Sequence, residues 1–325
     1  MTSSTSNVTR LSVGMLAAFA AIYFFWGTTY LAIAVAIKTI PPFISGSARF
    51  LIAGLAMYVW LRWRNPRPLA NVNIAMAALV GVLLSGVGNG FVVWAQQGIP
   101  SGIAALIVTA VPVIVLLLDW AFFSKRAPTA QALIGTAIAV AGVVTIVTHT
   151  RSLSGTAQPL FLISLLTATV AWSFGTLLQK RSAKAETVLS FTCVQMLFGG
   201  LFQLCMSLVD REWARFDVAA VDYGSVLAIA YLIVFGSIIS LNCYLWLLTR
   251  VPAPTVATYA LVNPVVALML GALVLNERLT ALALIAAALV LLGVGLVLFQ
   301  DANWLKNLRR RQADSCEAVA PTRSR

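Results

Sequence analysis

Ten separate stretches of this chain, each 17 to 27 residues long, are made almost wholly of apolar side chains. They run 11–37, 43–61, 74–94, 103–123, 132–148, 160–178, 188–209, 226–248, 255–275 and 281–299. A helix rises about 1.5 Å per residue and a bilayer's hydrocarbon core is about 30 Å thick, so stretches of this length can cross it. Hydrocarbon offers no partner to a bare peptide group, and only helices and closed barrels satisfy all of theirs internally. The longest gaps, 62–73 and 210–225, are too short to hold a soluble domain. The expected fold is therefore an all-α membrane protein of ten transmembrane helices. The first stretch is not read as a secretory signal: it is too long, it carries Trp26 and Tyr30, and nine more follow.

Only 10% of the 325 residues are charged, against about a quarter in an average soluble domain. The net charge of +12 would suggest nucleic acid in a soluble protein, but its placement indicates a bilayer instead. With the N-terminus taken as cytoplasmic, 16 Lys and Arg fall on the inner side: Arg10, Arg62, Arg64, Arg67, Lys125, Arg126, Lys180, Arg181, Lys184, Arg250 and six in the tail. Five fall outside, namely Lys38, Arg151, Arg211, Arg215 and Arg278. That bias sets orientation and puts both termini in the cytoplasm. The basic tail, 300–325, is expected to be attracted to anionic lipid. Cys193, Cys205 and Cys243 lie inside apolar stretches and Cys316 lies in the tail, which does not suggest a disulfide framework.

The chain repeats itself. At an offset of 146, Trp26 meets Trp172 and FLIAGL (50–55) meets MLFGGL (196–201). At an offset of 152, Trp94 meets Trp246, Pro100 meets Pro252, Pro112 meets Pro264, and Lys125-Arg126 meets Glu277-Arg278. The difference of six implies an insertion in the second half, around 210–224. The domain reading is a cytoplasmic N-terminus (1–10), a first five-helix repeat (11–149), a second (150–299) and the tail. A tandem unit with an odd number of crossings must invert its second copy across the bilayer. Inverted repeats are the usual construction of secondary transporters, with the substrate near the midplane at the repeat interface. Pro112 and Pro264, near the middle of spans four and nine, each remove a backbone hydrogen bond; they are read as paired hinges flanking a central cavity. Inversion puts Trp26 and Trp94 in outer halves of their spans and Trp172 and Trp246 in inner halves, the arrangement of two gates.

Helical spacing picks out candidate lining residues. Tyr23, Trp26 and Tyr30 share one face of span one; Ser85, Asn89 and Gln96 share one face of span three. Span six offers Trp172 and Thr176, span eight Ser237, Ser240 and Tyr244, and span nine Tyr259 and Asn263. The candidate substrate-binding set is Tyr23, Trp26, Tyr30, Ser85, Asn89, Trp94, Trp172, Thr176, Tyr244, Trp246, Tyr259 and Asn263. A carboxamide is costly in lipid, so Asn89 and Asn263 should face polar company. Arg49 lies six residues into span two, where snorkelling competes with pairing to helix carbonyls or to a substrate carboxylate, and it is read as structural. Asp119 is expected to form an interfacial ion pair with Lys125 and Arg126. Glu277 and the single histidine, His149, sit at span ends and are given no role.

Several classes are excluded. There is no G-x-x-x-x-G-K-[ST] loop for an ATP motor, no H-E-x-x-H zinc site and no Ser, His and acid set for nucleophilic catalysis. No carboxylate lies at the midplane for a proton relay. The chain reads as a non-enzymatic secondary carrier without cofactor or metal, with a neutral, aromatic-rich cavity for a small molecule. Gly81, Gly88, Gly135 and Gly142 permit close helix contacts, within one chain or between chains.

FWGTTYLAI (25–33), PPFISGSARFLIAG (41–54), GNGFVVWAQQGIPSGIAALI (88–107), FGSIISLNCYLWLL (235–248) and YALVNPVVALMLGALVLNERLT (259–280) together resemble EamA-type members of the drug/metabolite transporter superfamily. Within it the chain looks most like bacterial inner-membrane amino-acid and metabolite exporters, including the aromatic amino-acid branch. The resemblance implies two inverted five-helix repeats, alternating access through a central cavity, and efflux of amino acids, neutral and aromatic ones included, or related metabolites. Two other readings remain: an exporter of another small molecule, such as a nucleoside or hydrophobic toxin, and a non-transporting membrane scaffold or receptor.

Overall fold

The computed structural model describes residues 13–125, 127–154, 159–251, 256–277 and 280–299, and every regular element in them is helical. The principal helices are α1 (Val13–Ala36), α2 (Pro42–Arg64), α3 (Ile74–Ala95), α4 (Ser101–Ser124), α5 (Ala130–Ser154), α6 (Pro159–Ser182), α7 (Val188–Val209), α8 (Tyr223–Leu248), α9 (Tyr259–Val274) and α10 (Ala281–Leu298). Among the described residues, eight of these are long and apolar enough to cross a membrane. The other two contribute shorter apolar helix, Ala130–Thr145 and Tyr259–Val274. The N-terminal ten residues, the tail, Arg126, Pro252 and Arg278 lie outside the described residues, as do the side chains of His149 and Arg151. The stretch expected to hold an insertion carries a helical turn, Glu212–Arg215, and a 3-10 turn, Val218–Ala220.

Packing repeats in the same way as the sequence. Helix α2 lies on α7, α5 on α10, and α4 on α9; α1 contacts α8 and α9, while α6 contacts α3 and α4. Exchanging each helix with the one five places along reproduces that set of contacts. Glycines set the closest approaches. Gly293 of α10 lies against the Gly135 carbonyl and the Ala139 backbone of α5, and Gly142 faces Val290 and the Ala286 carbonyl. Gly81 abuts the Gln195 backbone of α7, and Gly88 abuts Trp172 of α6. The small residues whose partners the sequence left open therefore pack within the chain. Lipid tails are as apolar as leucine, so this close van der Waals contact, rather than apolar burial, must hold such helices together.

Two helices widen to π geometry at corresponding depths, Val82–Asn89 in α3 and Leu232–Ile239 in α8. Inserted side chains account for it, since a group that takes a carbonyl out of the helical ladder loosens the winding. Gln203 Nε2 donates to the Ser85 carbonyl at 2.6 Å. Trp26 Nε1 donates to the Gly236 carbonyl at 3.2 Å, and Ser240 Oγ to that of Phe235 at 2.6 Å.

The prolines differ from one another. Helix α4 is interrupted after Val108 and resumes at Val111, so Pro112 sits in the first turn of the second segment, where its missing N–H costs least. Pro264 sits inside α9, Tyr259–Val274, which follows a turn at 257–258 after a helical Val256. Both prolines are buried. The ends of α4 and α9 do match: Lys125 (φ 56°) and Asn276 (φ 55°) turn the chain in the left-handed region.

Two glutamates tie loops to helix starts. Glu212 accepts from the N–H groups of Phe43 (3.0 Å) and Ile44 (2.8 Å) at the start of α2. Burial pushes its carboxyl up, while those two N–H bonds pull it down. Glu277, after α9, accepts from Ser101 N (2.8 Å), Ser101 Oγ (2.7 Å) and Gly102 N (3.2 Å) at the start of α4. Proline precedes each of these helix starts and leaves the first N–H groups free for a carboxylate.

Candidate substrate site

Helices of both halves enclose a cavity of about 70 Å³, lined by Trp26, Thr29, Tyr30, Arg49, Ser85, Asn89, Trp172, Tyr259 and Asn263 with apolar neighbours. The residues come from α1, α2, α3, α6 and α9, and Gly236 of α8 closes the wall.

One side of the cavity is aromatic. Trp26 meets Trp172 edge to face at 5.8 Å between ring centres, Tyr259 at 4.9 Å and Tyr244 at 5.1 Å; Tyr244 and Tyr259 lie 5.9 Å apart. Tyr259 also lines a second space of about 310 Å³, bounded by Pro112, Asp119, Thr176, Lys180, Arg181 and Tyr244. The ring cluster therefore forms a wall between the central cavity and a vestibule at the end of the molecule that carries Lys180 and Arg181. Thr176 steadies that wall by bonding the Tyr244 hydroxyl at 3.2 Å. With its amide turned to suit its neighbours, Asn263 donates to the carbonyls of Tyr23 (3.3 Å) and Tyr259 (3.2 Å), the latter in the first turn of α9. The Tyr23 hydroxyl holds Thr258 at 2.5 Å.

The other side is polar. Arg49 is only 3% exposed, and its Nε donates to Ser237 Oγ at 2.7 Å. Its Nη1 reaches Asn89 Oδ1 at 3.5 Å, a long contact. Ser237 and Asn89 stand on the two π stretches, so Arg49 spans both irregular segments from α2. The Ser85 hydroxyl beside them is buried with no partner.

Seven of the expected residues, Trp26, Tyr30, Ser85, Asn89, Trp172, Tyr259 and Asn263, converge on this cavity. Thr176 and Tyr244 line the vestibule instead. Tyr23 lies one helical turn from Trp26 and braces the start of α9. The structure departs from the sequence reading at four points. Trp94 packs on Phe161 at 4.6 Å and faces a separate groove between α2, α3, α6 and α7, and Trp246 lies under the Arg250 guanidinium at 4.0 Å. Trp26 and Trp172, expected in two separate gates, touch one another on the wall of one cavity, because α1 and α6 converge there. The cavity is not neutral, since Arg49 lines it. The expected Asp119–Lys125 pair is also not formed: Lys125 Nζ turns back to the Ala121 carbonyl at 2.5 Å, leaving Asp119 in the vestibule wall.

The family model described as EamA-like transporter family matches residues 12–148 and again 160–299. The chain belongs to the EamA-like transporter family. The two matches coincide with the halves whose contacts exchange, so the internal repeat is a repeat of the family's unit. An Escherichia coli K12 protein described as "Uncharacterized inner membrane transporter YedA" is 34% identical over 301 residues, covering 89% of this chain and 94% of that one. A second protein of the same organism, described as "Probable amino-acid metabolite efflux pump", is 26% identical over 290 residues, covering 87% and 94%. A crystal structure superposes with a TM-score of 0.62 at 19% identity, over 90% of this chain and 99% of that one, which speaks for the fold alone. This is a multi-pass membrane protein of a transporter family, and its relatives include inner-membrane transporters.

Proposed function

We propose that the chain is a secondary carrier of the bacterial inner membrane that exports amino acids, neutral and aromatic ones included, and related small metabolites. The observation that carries this reading is the cavity between the two family units, walled by aromatic rings and carboxamides and flanked by helices whose winding breaks at that depth. Irregular backbone within a membrane is tolerated where it lines a cavity, and carriers place substrate there.

Ten crossings arranged as two inverted repeats are the topology that best accounts for the exchange symmetry of the helix contacts. On the charge bias, the vestibule end is cytoplasmic, with both termini on the same side. In this arrangement the cavity is closed from the vestibule by the Trp26–Trp172–Tyr244–Tyr259 cluster. On the opposite side α4 and α9 are clasped by Glu277. Alternating access then consists of parting the rings with the clasp shut, and opening the clasp with the rings packed. Pro112 and the 257–258 turn lie where α4 and α9 would flex. The relative named as an amino-acid metabolite efflux pump supports the substrate class.

Uptake of labelled phenylalanine, leucine, threonine and uridine into proteoliposomes, with and without a proton gradient, tests the proposal. Saturable amino-acid flux above protein-free liposomes is expected. Flux of uridine alone would move the substrate class, and no flux of any of the four would end the carrier reading for this panel.

A further inference from the structure

Arg49 is the one charged side chain among the described residues lining the central cavity, and no carboxylate stands with it. The ion pair found among the described residues, Arg215–Asp210, lies elsewhere. A buried guanidinium carries five N–H donors and stays protonated, and in a membrane span it is costly unless paired or facing a polar cavity. Here Nε holds Ser237, Nη1 makes a long contact to Asn89, the guanidinium lies 4.7 Å from the Phe50 ring centre, and Nη2 has no hydrogen-bond partner among the described residues. The neighbouring backbone leaves room for it: a Cβ added to Gly236 would come within 3.0 Å of Nη2. Beside it stand the buried Ser85 hydroxyl, which has no partner among the described residues, and Tyr30, which lines the same cavity. A purely structural arginine would be expected to spend its donors on helix carbonyls or an acid. This one instead keeps part of its fork facing an enclosed space.

We propose that Arg49 is the anchor for a carboxylate on the transported molecule, with Ser85, Asn89 and Tyr30 completing the oxyanion subsite and the Trp26, Trp172 and Tyr259 rings receiving the remainder of the ligand. Guanidinium and carboxylate are matched for a two-pronged bond that no neutral group reproduces. The rings supply an apolar wall and, toward an ammonium group, the attraction of their faces. The substrate class is therefore the free α-amino acid or small carboxylic acid; amino-acid amides and decarboxylated amines fall outside it. This deepens the exporter reading and rests on it for the transport step, but the binding claim stands separately.

The test uses purified full-length protein in nanodiscs, where the cavity tryptophans report occupancy by fluorescence. The probes are L-phenylalanine, 3-phenylpropionate, L-phenylalaninamide and phenethylamine. The two free carboxylates are expected to bind at least tenfold more tightly than the amide and the amine. Arg49→Gln should abolish that margin, and Arg49→Lys should restore part of it. Because Arg49 also bridges α3 and α8, variant samples are compared with wild type by size exclusion and thermal melting, and the wild-type ligand series needs no variant at all. Equal binding of acid and amide, or no binding by either carboxylate, overturns the proposal. Amino-acid uptake with no acid-over-amide preference would sink the anchor and spare the exporter. Arg49-dependent binding of 3-phenylpropionate without amino-acid flux would do the reverse.

Discussion

Glu277→Gln should loosen the α4–α9 clasp, and the structure sets the size of the effect. The carboxylate receives Ser101 N–H and Ser101 O–H on one oxygen and Gly102 N–H on the other. Gly271 makes room for it, since a Cβ there would overlap Oε2, and Gly102 packs directly on Leu268. Hydrogen bonds to a charged group contribute about 1.5–3 kcal/mol each, and a negative charge at a helix N-terminus adds about 0.3–1 kcal/mol. An amide of the same shape keeps one acceptor oxygen but turns an NH₂ toward an N–H or loses that contact. The net loss is then about 2–4 kcal/mol, less than the sum, because water can take over part of the bonding. At 1.4 kcal/mol per factor of ten this is roughly a 30- to 700-fold shift toward the open form, provided the clasp is absent when that end is open. Leu268→Cys, in a background lacking the native cysteines, places a reporter under Gly102. Its modification by a membrane-impermeant maleimide should accelerate by that order in Glu277→Gln while the open form remains the minor one. An unchanged labelling rate in a folded Glu277→Gln variant would show that the clasp does not hold this end shut.

Further outcomes follow from the same geometry. Gly293→Val places carbon against the Gly135 carbonyl and the Ala139 backbone, so α5 and α10 must separate; a loss of about 1–3 kcal/mol should appear as a lowered melting temperature in detergent. Tyr259→Ala removes the ring shared by cavity and vestibule, so access of a water-soluble quencher from the vestibule end to Trp26 and Trp172 should rise. Asp222, the N-cap of α8, is held below the ordinary carboxylate range by the Ser225 hydroxyl and then by the Ser225 N–H. A depressed folded value means that its contribution is present above the unfolded value of about 4 and is lost as pH falls through the folded one. The melting-temperature gap between wild type and Asp222→Asn should therefore be open at neutral pH and close on acidification below about pH 4.

What could be read from the chain, and what could not, divides along physical lines. The spans were legible because hydrocarbon imposes a length and a composition together, and α7 begins and ends where the apolar stretch does. The turn at 257–258, between a helical Val256 and the segment from Tyr259, left no mark in an apolar stretch. The π stretches left no periodic mark. They arise from Gln203 and Trp26 reaching carbonyls on other helices, more than one hundred residues away in each case. Trp26, Trp172 and Asn263 could be chosen by residue type and depth, but type could not tell them from Trp94 and Trp246, since helical spacing fixes a face and not what lies opposite it.

Arg49 shows the limit most sharply. Its place in span two was plain, and so were its possible partners: solvent at the interface, helix carbonyls, or a ligand. Choosing among them requires knowing what does not approach, and a missing carboxylate is a property of five packed helices rather than of any one. Glu277 was passed over for the converse reason. At the end of an apolar span it reads as an ordinary interfacial acid until α4, 176 residues earlier, presents its first N–H groups. In both cases a charge was visible from the first reading, and its work was decided by the distant backbone that either met it or left it facing open space.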